Sequence, residues 1–84
     1  MGSSFHSPEY DQFRLLLIAA RERAELTQAQ VAARLSRPQS FVSKYETGER
    51  RLDVVEFVAV CRALGIKANS IIAVMENDRK RRQG

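Results

Sequence analysis

Gln39, Ser40 and Lys44 carry the side chains best suited to recognition chemistry in this chain. The amide of Gln39 donates and accepts at once, which matches the donor–acceptor pair of an adenine edge in a major groove. The Ser40 hydroxyl suits a base or a phosphate. Lys44 follows Ser40 by four residues, so on a helix the two share a face, and its ammonium suits a guanine edge or a phosphate. Ser43 is suited to a phosphate. The rival reading of each is a solvated polar residue on the outer side of a helix.

For these residues to act together they must lie on one short, well-placed helix, and the segment from Leu26 to Gly48 predicts it. Thr27 and Gln30 form a capping box, S/T-x-x-E/Q, at the start of a first helix. Val31, Ala32 and Leu35 then share a face, with Ala32 small enough for close helix crossing. Pro38 ends that helix, because it lacks an N–H and pushes Arg37 out of the α region, and it opens the next. In the second helix Val42 and Tyr45 point inward and leave Gln39, Ser40, Ser43 and Lys44 outward. Gly48 closes it in a left-handed conformation. Two short helices joined by a tight turn are the layout of a helix-turn-helix.

The segment resembles the Cro/C1-type, or Xre-family, helix-turn-helix. The matching residues are Leu26-Thr27-Gln28, Val31-Ala32, Leu35, Pro38-Gln39-Ser40, Val42-Ser43-Lys44-Tyr45-Glu46 and Gly48, with Arg62-Ala63-Leu64-Gly65 further on. The resemblance covers roughly residues 10 to 75. It implies an all-α domain similar to that of lambda repressor and a DNA-binding regulator of bacterial or phage origin. It also implies roles for single residues. Gln28 bonds a phosphate while bracing the Gln39 amide, and Thr27 and Gln28 offer that phosphate the free N–H groups of a helix N-terminus. Arg21 pairs with Glu46 and fixes how the recognition helix sits.

The chain departs from the pattern in three places. Glu25 and Ser36 stand where helix-ending glycines are usual, so these ends either terminate differently or bear strain. Arg37 replaces an apolar turn residue, and its aliphatic stem is expected to cover the same ground. Phe41 has two open readings, contact with a thymine methyl or packing beside Tyr45.

Charge agrees with a polyanionic partner. The 84 residues carry a net charge of +4, all of it accounted for by Arg79, Lys80, Arg81 and Arg82. Between Thr27 and Arg51 there are five basic residues against two acidic ones. The motif is therefore a local positive patch on a neutral body. Arg50 and Arg51 are candidate backbone clamps, and Arg37 is a weaker one. The Arg79–Arg82 tail is read either as a phosphate contact or as a solvated terminus.

Other functions find little support. One cysteine and one histidine cannot build a zinc site or a disulfide framework. Cys61 reads as a small core residue and His6 as part of a disordered segment. There is no nucleophile–base pair and no phosphate-cradling glycine loop, so an enzyme is not expected, and neither cofactor nor metal is. The longest apolar run, Leu15 to Ala20, is far too short to span a bilayer, and the first ten residues lack the order of a signal peptide. A cytoplasmic location is the expectation.

The remaining segments read as a helical scaffold. Ser7-Pro8-Glu9 starts a helix that carries Phe13, Leu16, Leu17, Ala20 and Ala24 inward. Asp53 and Glu56 form a second capping box, followed by an apolar stripe of Val54, Phe57, Val58, Cys61 and Leu64. Gly65 and Ile66 suggest a Schellman cap. A last helix begins near Asn69. The expected organisation is a disordered segment 1–7, a five-helix domain 8–78 with the motif at about 27–47, and a basic tail 79–84.

One recognition helix reads too few base pairs to be selective in a genome. A homodimer on a palindrome, with half-sites about 34 Å apart, is therefore expected. Ile71, Ile72, Val74 and Met75 are candidates for its interface; their alternative is completion of the core. The favoured function is a sequence-specific regulator of double-stranded DNA, most simply a repressor. The alternative is an antitoxin-like or bridging module that uses the same fold to bind a protein partner.

Overall fold

The computed structural model describes the backbone of residues 7–83 and the side chains of residues 7–78. Among the described residues the chain forms five helices and no strand: α1 (Pro8–Arg23), α2 (Gln28–Leu35), α3 (Gln39–Thr47), α4 (Val54–Leu64) and α5 (Ala68–Gln83). The fold class is the all-α one expected.

Local chemistry explains the helix starts. Ser7 caps α1 by accepting from the Tyr10 N–H at 3.0 Å, with Pro8 in the first turn. The disorder expected for 1–7 otherwise concerns residues outside those described. In α2 Thr27 accepts from the Gln30 N–H at 3.0 Å, and Gln30 returns the bond to the Thr27 N–H at 2.8 Å. Asp53 and Glu56 close the same reciprocal box on α4, at 2.7 and 3.0 Å. Each box satisfies two N–H groups that a helix start leaves orphaned. Pro38 is the N-cap of α3 in extended conformation, one position earlier than the first helical residue.

Three helices end in the same way. After α1, Glu25 N–H reaches Glu22 O and Leu26 N–H reaches Arg21 O; after α2, Ser36 and Arg37 make the equivalent bonds to Ala33 and Ala32. Gly65 and Ile66 repeat the pattern after α4. These are Schellman closures, and each needs a left-handed residue. Glu25 and Ser36 adopt it at φ 61° and 56° without being glycine. The two helix ends therefore close as a glycine would close them and carry the backbone strain instead.

α1 packs on α3, α4 and α5, and α2 packs on α3 and α4. The core gathers Leu17 and Ala20 from α1, Val31 and Ala32 from α2, Val42 and Tyr45 from α3, Phe57, Val60, Cys61 and Leu64 from α4, and Ile71 from α5. Phe13 bridges α1 to α4 edge-on against Phe57, with ring centroids 5.1 Å apart. Val54 does not join the stripe predicted for it: it is 76% exposed, and Val55 beside it 78%. Both lie in the first turn of α4, ahead of Phe57, the first residue of the helix to be buried. The backbone of α5 continues through Arg79–Arg82 to Gln83, so the basic residues extend a helix; their side chains lie outside the described residues.

Candidate nucleic-acid interface

α3 divides cleanly. Phe41, Val42, Tyr45 and Glu46 are buried, whereas Gln39, Ser40 and Lys44 are exposed and Ser43 is half-buried. At about 100° per residue, Gln39, Ser40, Ser43 and Lys44 fall within one outward arc. The three residues proposed to read bases are thus together on one face, with Ser43 between them.

The seat of α3 is electrostatic as well as apolar. Glu46 is only 5% exposed, and Arg21 of α1 meets it with Nε–Oε2 at 2.7 Å and Nη2–Oε1 at 3.2 Å. The third nitrogen of Arg21 donates to Leu26 O at 2.8 Å. The hydrogen bond to Glu46 outweighs desolvation and raises the pKa of Arg21, which stays charged. Arg14, one α1 position that sequence reasoning passed over, donates to Glu46 O at 2.8 Å. It thereby caps a carbonyl in the last turn of α3, where a cation is favoured.

Gln28 carries this arrangement outward. Its Nε2 donates to Glu46 Oε1 at 2.8 Å, and its Oε1 faces Gln39 Nε2 across a long 3.5 Å contact. An ionised carboxylate only accepts, so the Gln28 NH₂ must face Glu46 and its carbonyl must face Gln39. The Gln39 amide is then biased to turn its NH₂ toward Gln28. It keeps one N–H and its carbonyl free, the pair an adenine edge requires.

The opposite flank of α3 is built around Phe41. The ring is buried against Tyr45 in an edge-on contact, with centroids 5.6 Å apart, which decides between the two readings of this residue. Arg37 and Arg50 both place their guanidinium carbons over the ring, at 4.4 and 4.8 Å. Glu56 joins them. Arg50 grips its carboxylate with Nη1–Oε1 at 2.9 Å and Nη2–Oε2 at 2.7 Å, and Arg37 Nη2 lies 3.7 Å from Oε2. Hydrogen bonds from Arg50 and from the Asp53 N–H hold the Glu56 carboxyl down at about 2. Arg37 therefore sends its charged head over the Phe41 ring and beside Glu56. Arg51 lies over the Tyr10 ring at 4.3 Å, and the Tyr10 hydroxyl accepts from Leu52 N–H at 3.0 Å. Glu56 was legible in the sequence only as half of a capping box, and sequence reasoning passed over Tyr10 altogether.

The four residues assigned to a dimer interface separate. Ile71 belongs to the core and Met75 packs against it. Only Ile72 and Val74 face outward, and two positions apart on a helix they point about 160° away from each other. The buried stripe of α5 thus takes the middle of the set and leaves one apolar residue on each side.

Cys61 is buried, and burial pushes its thiol up to about 11. Among the described residues no three His, Cys, Asp or Glu side chains converge on a metal position, and no single helix is long and apolar enough to cross a membrane.

The arrangement, a helix with an outward polar face seated against a second helix through a tight turn, defines a helix-turn-helix domain. Comparison places it further. A family described as a helix-turn-helix domain matches residues 12–69. An XRE-family like protein from Pseudomonas syringae pv. tomato has a similar structure, with TM-score 0.80 and 48% identity over 82% of this chain and 84% of that one. The clp gene regulator ClgR from C. glutamicum superimposes with TM-score 0.75 over 87% of this chain and 95% of that one; at 16% identity it shows likeness of fold alone. No curated protein matches. The chain belongs to the helix-turn-helix family of XRE-type DNA-binding regulators.

Proposed function

We propose that the chain reads a specific double-stranded DNA sequence and represses transcription, bound as a homodimer to a palindromic operator. The observation that carries this reading is the outward face of α3, with the Gln39 amide oriented through Gln28 from the buried Glu46. Gln39, Ser40 and Lys44 contact base edges. Thr27, Gln28 and Ser43 bond phosphates from the α2 side and the helix face; Arg37, Arg50 and Arg51 do so from the loop side. Such backbone contacts set register, and base contacts set sequence.

Occlusion of a promoter needs no chemistry beyond binding, so repression is the simplest consequence. The need for two half-sites supports a dimer, and Ile72 and Val74 supply one apolar contact on each flank of α5 for it. A monomeric mass by sedimentation at high micromolar concentration, with no change on adding DNA, would remove the dimer from this reading. The workplace of such a protein is the bacterial cytoplasm.

The test is selection of randomised duplex by the purified protein at about 150 mM salt, followed by sequencing. Enrichment of a palindrome with two short half-sites is the expected result. A folded protein that enriches nothing would overturn the reading and favour a protein-binding module, for which outward Val54, Val55, Ile72 and Val74 supply apolar surface.

A further inference from the structure

Arg50 sits in the loop after α3, and three of its five N–H groups are spoken for. Nη1 donates to Glu56 Oε1 at 2.9 Å and to Arg51 O at 3.0 Å, and Nη2 donates to Glu56 Oε2 at 2.7 Å. Glu56 therefore occupies the end-on fork of the guanidinium, the one formed by Nη1 and Nη2. Nε–H and the remaining Nη2–H form the side-on fork, a second pair of parallel donors with the geometry of two phosphate oxygens. The Phe41 ring lies under the guanidinium plane, and the Arg50 side chain is 39% exposed. A free arginine would have to order several rotors to present that fork; here the carboxylate and the ring have ordered them beforehand.

We propose that Arg50 binds one backbone phosphate bidentately through Nε and Nη2, and that Glu56 is the positioning residue that aims this fork by holding the other one. Arg37, over the same ring and 3.7 Å from the same carboxylate, adds a second positive charge beside it. The inference rests on the DNA-reading function proposed above and deepens it. It assigns an acidic residue a role in favour of binding a polyanion, against the sign of its charge.

That opposition makes the test sharp. Affinity for the selected duplex is measured for wild type, Arg50→Ala, Arg50→Lys, Glu56→Gln and Glu56→Gln in the Arg50→Ala background, with folding checked by thermal melting. Glutamine at this position still completes the capping box, so the variant keeps the start of α4. Arg50→Ala is expected to weaken binding about tenfold or more, roughly equally across sequences, and Arg50→Lys to do nearly the same because a point charge lacks the fork. Glu56→Gln is expected to weaken binding severalfold even though it makes the protein more positive, and to have no further effect once Arg50 is alanine. Arg50→Lys binding like wild type, or Glu56→Gln binding as tightly or more tightly, overturns the inference while the DNA-reading function stands. No loss in Arg50→Ala overturns the Arg50 phosphate contact and the inference with it. Failure of the wild type to select any duplex overturns the function itself.

Discussion

Gln28 donates its amide N–H to the buried Glu46 carboxylate at 2.8 Å, and so ties a half-buried residue of α2 to the ion pair that seats α3. Its other end faces Gln39. A continuous line of polar contacts thus runs from Arg21 in α1, through Glu46 and Gln28, to the outward amide that is proposed to read DNA. The same pair that holds α3 in place also biases which way that amide turns.

The Arg21–Glu46 pair should be costly to break. Arg21→Met leaves Glu46 buried with its charge uncompensated, and a loss of about 3–5 kcal/mol is expected from breaking a buried pair of this kind. Urea unfolding followed by circular dichroism measures it. A loss under 1 kcal/mol would mean that water or Gln28 compensates the carboxylate.

Two substitutions should stabilise the chain. Glu25 and Ser36 hold left-handed backbone at a cost of about 1–2 kcal/mol relative to glycine, which returns about 0.5–1 kcal/mol through its greater unfolded-state entropy. Glu25→Gly and Ser36→Gly are each expected to gain about 0.5–1 kcal/mol, a rise of several degrees in Tm for a domain of this size. An unchanged or lower Tm in both would show that the strain is relieved locally.

Acid should weaken the loop after α3 through Glu56. Its folded pKa is lowered from 4.5 to about 2, chiefly by the hydrogen bonds from Arg50 and with Arg37 adding attraction. A lowered carboxyl pKa contributes stability above its unfolded value and loses that contribution as pH falls through the folded one. The difference in unfolding free energy between wild type and Glu56→Gln should therefore shrink steadily from about pH 5 to about pH 2. A difference that stays flat across this window would show that the carboxylate makes no net contribution.

Gln39→Ala should relax discrimination at one position of each half-site, by about 1–3 kcal/mol between the preferred base and its competitors. Binding to unrelated duplex and its salt dependence should hardly change, because no phosphate contact is removed. Competition titrations with duplexes that differ at single positions read both quantities. A uniform loss across all sequences would move Gln39 from the bases to the backbone.

Much of the architecture is legible in the sequence itself. The capping pairs Thr27–Gln30 and Asp53–Glu56, the break at Pro38, the inward Val42 and Tyr45 and the stop at Gly65 are local signals, carried within a few residues by hydrogen-bond chemistry and backbone stereochemistry. The outward placement of Gln39, Ser40 and Lys44 followed from helical period alone. The pairing of Arg21 with Glu46 came from family resemblance, because nothing local links residues 25 positions apart.

Tertiary structure decided what depends on neighbours that the sequence does not place. Helical period put Val54 on an apolar stripe and could not show that, among the described residues, none covers the start of α4. It counted four apolar residues on α5, yet only packing divided them into a core pair and two outward positions. Phe41 had two readings until Tyr45 and two guanidinium groups surrounded its ring. Glu56 looked like a cap, and folding brought it Arg37 and Arg50 as well. Periodicity specifies a direction from a helix axis; what lies in that direction is set by how the helices cross.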